Sequence, residues 1–169
     1  GLGSISEELV GEGLYYPGGD HAIFASYYAG SRPDFFHNWV HGRRDQDKTR
    51  EEDCAFFEGV FEGAREAGCR TLVLSYEGFP SLRPAEVEAT VRDLSTRAER
   101  VVGVVYCRHP LSFAPSEISQ RARSGVTTAV FTSAPPLLPF KSYLPKFVSA
   151  FGLPNMVARD VDRRALADG

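Results

Sequence analysis

A chain of 169 residues with 43% hydrophobic and 24% charged residues can bury one sizeable core and is not a largely disordered chain. Its net charge of −3 argues against a general nucleic-acid or anionic-membrane binder, so any anion site has to be a local patch. No apolar run approaches the ~20 residues of a membrane span, and no signal peptide is recognisable. Cys54, Cys69 and Cys107 are odd in number and form no Cys-x-x-Cys, which argues against disulfides and a zinc site and fits a cytoplasmic location.

In chain order, Ser6-Glu-Glu-Leu-Val-Gly11 is expected to close a helix. Leu14-Tyr-Tyr-Pro17 reads as extended, because the residue before a proline avoids the helical region. Gly18-Gly-Asp20 is a turn, and Asp20 can cap a short helix running through Tyr28. Ser31-Arg-Pro33 breaks the chain, and Phe35, Phe36 and Trp39 follow at helical spacing. His41 to Arg50 is polar with both signs of charge. It reads as a solvated loop, with a mobile basic loop over an anionic ligand as the alternative. Thr49 and Glu52 form a capping box for a long helix ending at Gly68, with Phe56, Phe57, Val60, Phe61 and Ala64 as its apolar stripe.

Arg70 to Ser75 is expected to be a buried strand that exits through Ser75-Tyr-Glu-Gly-Phe-Pro80. Pro84 starts a helix with Val87, Val91 and Leu94 on one side. Val101 to Tyr106 is β-branched and aromatic, broken only by Gly103 and apolar on both faces, as in a strand buried in a parallel sheet. Arg108-His-Pro110 leaves that strand, and a helix follows. Val126 to Pro139 reads as an irregular excursion. Phe140 to Phe151 reads as a helix ended by Gly152, with Pro145 in its first turn or at a kink, and Asn155 to Asp160 as a last strand. Strands alternating with helices predict right-handed crossovers and a single α/β domain over residues 1–169: three layers, a central parallel sheet with helices on both faces.

Open parallel sheets bind ligands at the carboxyl ends of their strands. Ser75 and Glu77 end one expected strand and Arg108 the next, so these groups should share one edge. Glu77 there is a candidate base, or simply a cap or ion-pair partner. Arg108, beside free N–H groups at a helix start, favours an anion, and Ser116, eight positions on, can add a donor. The plainer alternative is a surface ion pair and an exposed hydroxyl. Pro115 falls in the first turn of that helix if Ser112 is its cap. His21 is either a ligand contact, a second base or a surface histidine on a capped helix. His37, His41 and His109 are read as carrying no metal-ligand spacing, and Ser75 lacks a Gly-x-Ser-x-Gly frame. Arg121 and Arg123 read as solvated helix-end charges.

Several of these stretches together resemble one family. Leu74-Ser-Tyr-Glu-Gly-Phe79, Val104-Val-Tyr-Cys-Arg-His-Pro110, Ser116 and Gln120 resemble the P-loop-type sulfotransferases, nearest to the bacterial sulfotransferase-like proteins associated with polysaccharide modification. Gly13-Leu-Tyr-Tyr-Pro17 with His21 resembles that family's segment after the first helix, and Tyr143 to Val157 its late helix and strand. The resemblance implies a P-loop NTPase-like sheet and 3′-phosphoadenosine 5′-phosphosulfate (PAPS) as sulfuryl donor, with no metal. It implies Glu77 as catalytic base, Arg108 and Ser116 on the 3′-phosphate, and His21 at the acceptor, a hydroxyl or amine with carbohydrates among the candidates.

The family's Lys-x-Gly-Thr-Thr phosphate loop should precede Leu9 and is absent from the 169 residues, so the chain is expected to be a fragment. Two other readings stay open: a P-loop kinase or nucleotide-binding protein, and a non-catalytic sulfotransferase-like domain that binds a glycan or a partner.

Overall fold

A computed structural model describes residues 9–107, 115, 118–119, 122–123 and 140–160. The chain is mixed α/β with parallel strand pairs and divides into two compact units, Gly1–Thr90 and Val91–Gly169. No helix among the described residues is long and apolar enough to cross a membrane.

In the first unit, β1 (Leu14–Tyr15) runs parallel to β2 (Thr71–Leu72), with Leu14 opposite Thr71 and Tyr15 opposite Leu72. The Val73 N–H donates to the Tyr15 carbonyl (2.9 Å) and extends the pairing beyond β2. Between these strands lie α1 (Ala22–Tyr28), α2 (Phe36–Val40) and α3 (Gln46–Glu66), the long helical crossover that a parallel pair requires.

α3 ends as its sequence predicts. Gly68 takes φ +64°, its N–H reaches the Arg65 carbonyl, and the Cys69 N–H reaches that of Ala64, both at 3.0 Å. Its start differs from expectation. Asp45, not Thr49, is the cap, accepting from the Lys48 N–H (3.1 Å), so the helix begins at Gln46 rather than Arg50. Thr49 is buried inside the helix, and Glu52 turns to Arg43 (3.2 Å) rather than back to a capping box.

The buried stripe of α3 is Thr49, Asp53, Phe57, Val60 and Ala64, so the expected apolar face continues toward the N-terminus as a polar one. Phe57 is its centre. It stacks on Tyr27 at 4.5 Å and meets Phe24 and Tyr28 edge-on, packing α3 against α1. Burying such a ring contributes roughly 1.5–3 kcal/mol.

A 3-10 turn at Phe79–Ser81 leads to α4 (Pro84–Arg97). Pro84 opens that helix as expected, and Glu86 reaches back to the Arg83 N–H (2.7 Å). Val87 and Thr90 are its buried residues.

In the second unit, β3 (Gly103–Cys107) pairs in parallel with β4 (Met156–Asp160), in register from Gly103–Met156 to Cys107–Asp160. α5 (Phe140–Phe151) ends at Gly152, which takes φ +74°. Pro145 lies inside α5 rather than in its first turn. The helix expected after β3 is represented by Pro115, Ile118, Ser119, Ala122 and Arg123, all helical, with the Ser119 hydroxyl donating to the Pro115 carbonyl (2.9 Å).

β3 is not apolar-buried on both faces. Val104 and Tyr106 are 55% and 67% exposed, while Gly103, Val105 and Cys107 are half-buried. The inner face is the one beside Phe151. A Cβ on Gly103 would lie 2.6 Å from the Met156 sulfur and 3.3 Å from the Phe151 ring, so a larger residue would make those side chains shift. Among the described residues the strands form these two pairs, β1–β2 and β3–β4.

Candidate functional site

The two chain exits beyond β1 and β2 border one open cleft of about 520 Å³. Tyr16, Gly19, Asp20 and His21 come from the first exit, and Ser75, Tyr76 and Glu77 from the second. Two sequence-predicted residues, Glu77 and His21, therefore meet at the carboxyl ends of parallel strands. Arg108 and Ser116, with Gln120, lie outside the described residues.

His21 is not a surface histidine. It is 7% exposed, and both ring nitrogens are engaged by backbone. Nδ1 accepts the Ser75 N–H (3.1 Å), so Nε2 carries the ring proton and donates it to the Pro17 carbonyl (2.8 Å). The ring lies against Tyr16 at 4.7 Å and edge-on to Phe24 at 5.8 Å. His21 thus joins the two walls of the cleft, and its tautomer follows from its partners.

Glu77 is exposed on the turn after β2. Its neighbour Tyr76 is half-buried, and its ring occupies the place where a side chain on residue 78 would stand, which explains Gly78. Burial raises the Tyr76 hydroxyl above its ordinary pKa, and the negative charges of Asp20 and Glu77 push it the same way. The cleft is therefore acidic, with a protonated phenol among carboxylates.

Asp20 has two roles. One carboxylate oxygen accepts the Ala22 N–H (2.9 Å), the first of α1, although the residue at the cap position is His21. The other lies 3.5 Å from Nδ1 of His37. His37 is buried, which holds its pKa below the ordinary value although Asp20 pulls it upward. The His37 and His41 rings lie 4.5 Å apart, with His37 on α2 and His41 the residue that ends it. These two histidines were set aside on sequence grounds, yet a His-x-x-x-His spacing was the signal that places both on one helical face.

The polar stretch His41–Arg50 is mostly exposed, as expected, but it belongs to α3 from Gln46 onward, and Arg43 and Thr49 turn inward. Arg43 donates to Asn38 (2.8 Å), to Asp53 (2.6 Å) and to Glu52 (3.2 Å). Asp53 is fully buried and also accepts from the hydroxyls of Ser26 (2.6 Å) and Ser31 (2.8 Å). Arg44 lies over the Trp39 ring (5.9 Å), and Lys48 approaches Glu52 (4.0 Å). A smaller, more enclosed concavity of about 370 Å³ runs along Gly42 to Glu52, but Arg43 already serves the fold there.

Set beside protein-family models, curated proteins and solved structures, the chain has no significant match in any of the three comparisons.

Proposed function

We propose that the complete protein transfers a sulfuryl group from PAPS to a hydroxyl or amine, with a carbohydrate as one acceptor class, on a three-layer P-loop-like sheet. The observation that carries this reading is the shared cleft. Glu77 and the Tyr-Pro…His21 segment, quoted separately for the resemblance, border one cavity at the carboxyl ends of β1 and β2.

In this reading Glu77 takes the acceptor proton as the acceptor attacks sulfur. The sulfur–oxygen bond to the nucleotide breaks, and adenosine 3′,5′-bisphosphate leaves with both electrons of that bond. Arg108 and Ser116 hold the 3′-phosphate and so orient the donor. His21, with both nitrogens held by backbone, serves the acceptor by fixing the cleft walls rather than by touching it. Tyr76, kept protonated, is a hydrogen-bond donor beside Glu77.

The test uses protein made from its complete open reading frame. Calorimetry with adenosine 3′,5′-bisphosphate should show binding that Arg108→Ala weakens at least about tenfold. Equal affinity in both proteins removes the nucleotide assignment. Glu77→Gln should keep nucleotide binding and lower kcat about a hundredfold or more. A second reading, a non-catalytic binding domain, is favoured by the exposure of Glu77. Bound nucleotide without transfer in the parent protein would select it.

A further inference from the structure

The described residues include a second cluster of chemistry-bearing side chains, and sulfuryl transfer does not use it. We propose that Asp20, His37 and His41 bind a divalent transition-metal ion of the imidazole-preferring class, with zinc the first member to test.

One donor atom from each of the three side chains lies within 4.8 Å of the other two. His37 lies on α2 and His41 ends it one turn later, its N–H bonded to the His37 carbonyl (3.0 Å), and Asp20 reaches them from the turn before α1. The Asp20 carboxylate is already oriented: one oxygen is anchored on the Ala22 N–H, and the other is directed at His37, 3.5 Å from Nδ1. Such an outer hydrogen bond is what aims a carboxylate at a metal. Two imidazoles and one carboxylate form a zinc donor set, with bonds of about 2.0–2.2 Å. Three donors around one tetrahedral ion therefore sit roughly 3.3 Å apart. His37 and Asp20 are near that separation already. His41 is exposed, so rotation of its side chain can close the remaining gap without moving the core.

Asp20 and His41 are open to solvent while His37 is buried, so an ion has an entry path and one firmly held ligand. Three protein ligands leave one position for water, the arrangement of an open site rather than a closed structural one. The ion would lie at the rim of the cleft, since Asp20 belongs to both. Cys54, Cys69 and Cys107 are outside the cluster, so this is not a thiolate site.

The test is titration of the chelator-treated full chain with zinc alone, followed by cobalt substitution. One equivalent should bind, and His41→Ala and Asp20→Asn should each weaken it at least about tenfold. Asn still caps a helix and His41 is exposed, so both variants should fold, which circular dichroism verifies. The cobalt spectrum should lack thiolate charge-transfer bands. Absence of one-equivalent binding, unchanged affinity in either variant, or thiolate bands would overturn the proposal.

Discussion

The backbone N–H of Ser75 donates to Nδ1 of His21 across 54 positions of sequence (3.1 Å). With the Nε2–H donated to the Pro17 carbonyl, one imidazole spans the exits of both β1 and β2. Removing the ring leaves a part-buried N–H and a carbonyl without their partner. His21→Ala should therefore cost about 1–3 kcal/mol, read from urea unfolding. A cost of only a few tenths would mean that water replaces the ring, and that His21 does not hold the cleft.

The Asp53–Arg43 pair makes a larger prediction. Asp53 is fully buried and the Arg43 side chain is 15% exposed, with 2.6 Å between them. Truncating one partner leaves the other's charge uncompensated in a protein interior. Asp53→Ala should destabilise by about 3–5 kcal/mol. The double variant Arg43→Met, Asp53→Leu should lose less than the sum of the singles. Strict additivity in a double-mutant cycle would show that the pair does not interact.

Local signals made the element ends legible, and non-local ones hid the rest. Gly68 and Gly152 stop helices through their own backbone angles, so both ends were readable. The start of α3 was not, because Asp45 and Thr49 are both capping residues. Only the packing that buries Thr49 decides between them. The burial of Asp53 had no local signature, because its partners Ser26, Ser31 and Arg43 lie on other elements or loops. The rule for parallel strand ends singled out Glu77 but set it beside Arg108; its meeting with the Tyr16–His21 segment was hidden, because Leu14–Pro17 reads only as extended until β2 pairs with it. The burial of His21 was not, since its partners are backbone groups, which carry no side-chain signature. The exposed outer face of β3 was missed because Val104 and Tyr106 are apolar whichever way they point.

Gly103 tests the packing of the second unit. A methyl group there would press on the Met156 sulfur at 2.6 Å and the Phe151 ring at 3.3 Å. The thioether can swing aside, but the ring at the end of α5 has less room. Gly103→Ala should cost about 1–3 kcal/mol by overpacking, seen as a lower thermal midpoint and faster amide exchange along β3. An unchanged midpoint would mean that Phe151 yields freely.

Tyr76 carries the pH prediction. Burial, then Asp20, then Glu77 raise its pKa in the folded protein above the ordinary tyrosine value of about 10. Between those two values the unfolded chain has released the phenolic proton and the folded chain still holds it. The native state binds more protons there, so stability falls as pH rises through that window. Below the window both states are protonated and the Tyr76 contribution is fully present; above the folded value both are ionised and it is gone. Tyr76→Phe should lose this part of the alkaline slope. Glu77→Gln should shift the phenolate absorbance of Tyr76 to lower pH, because one of the two carboxylates opposing ionisation is removed. The largest cause, burial, remains in that variant, so the shift should be partial. A full return to the ordinary value would make Glu77, not burial, the dominant influence.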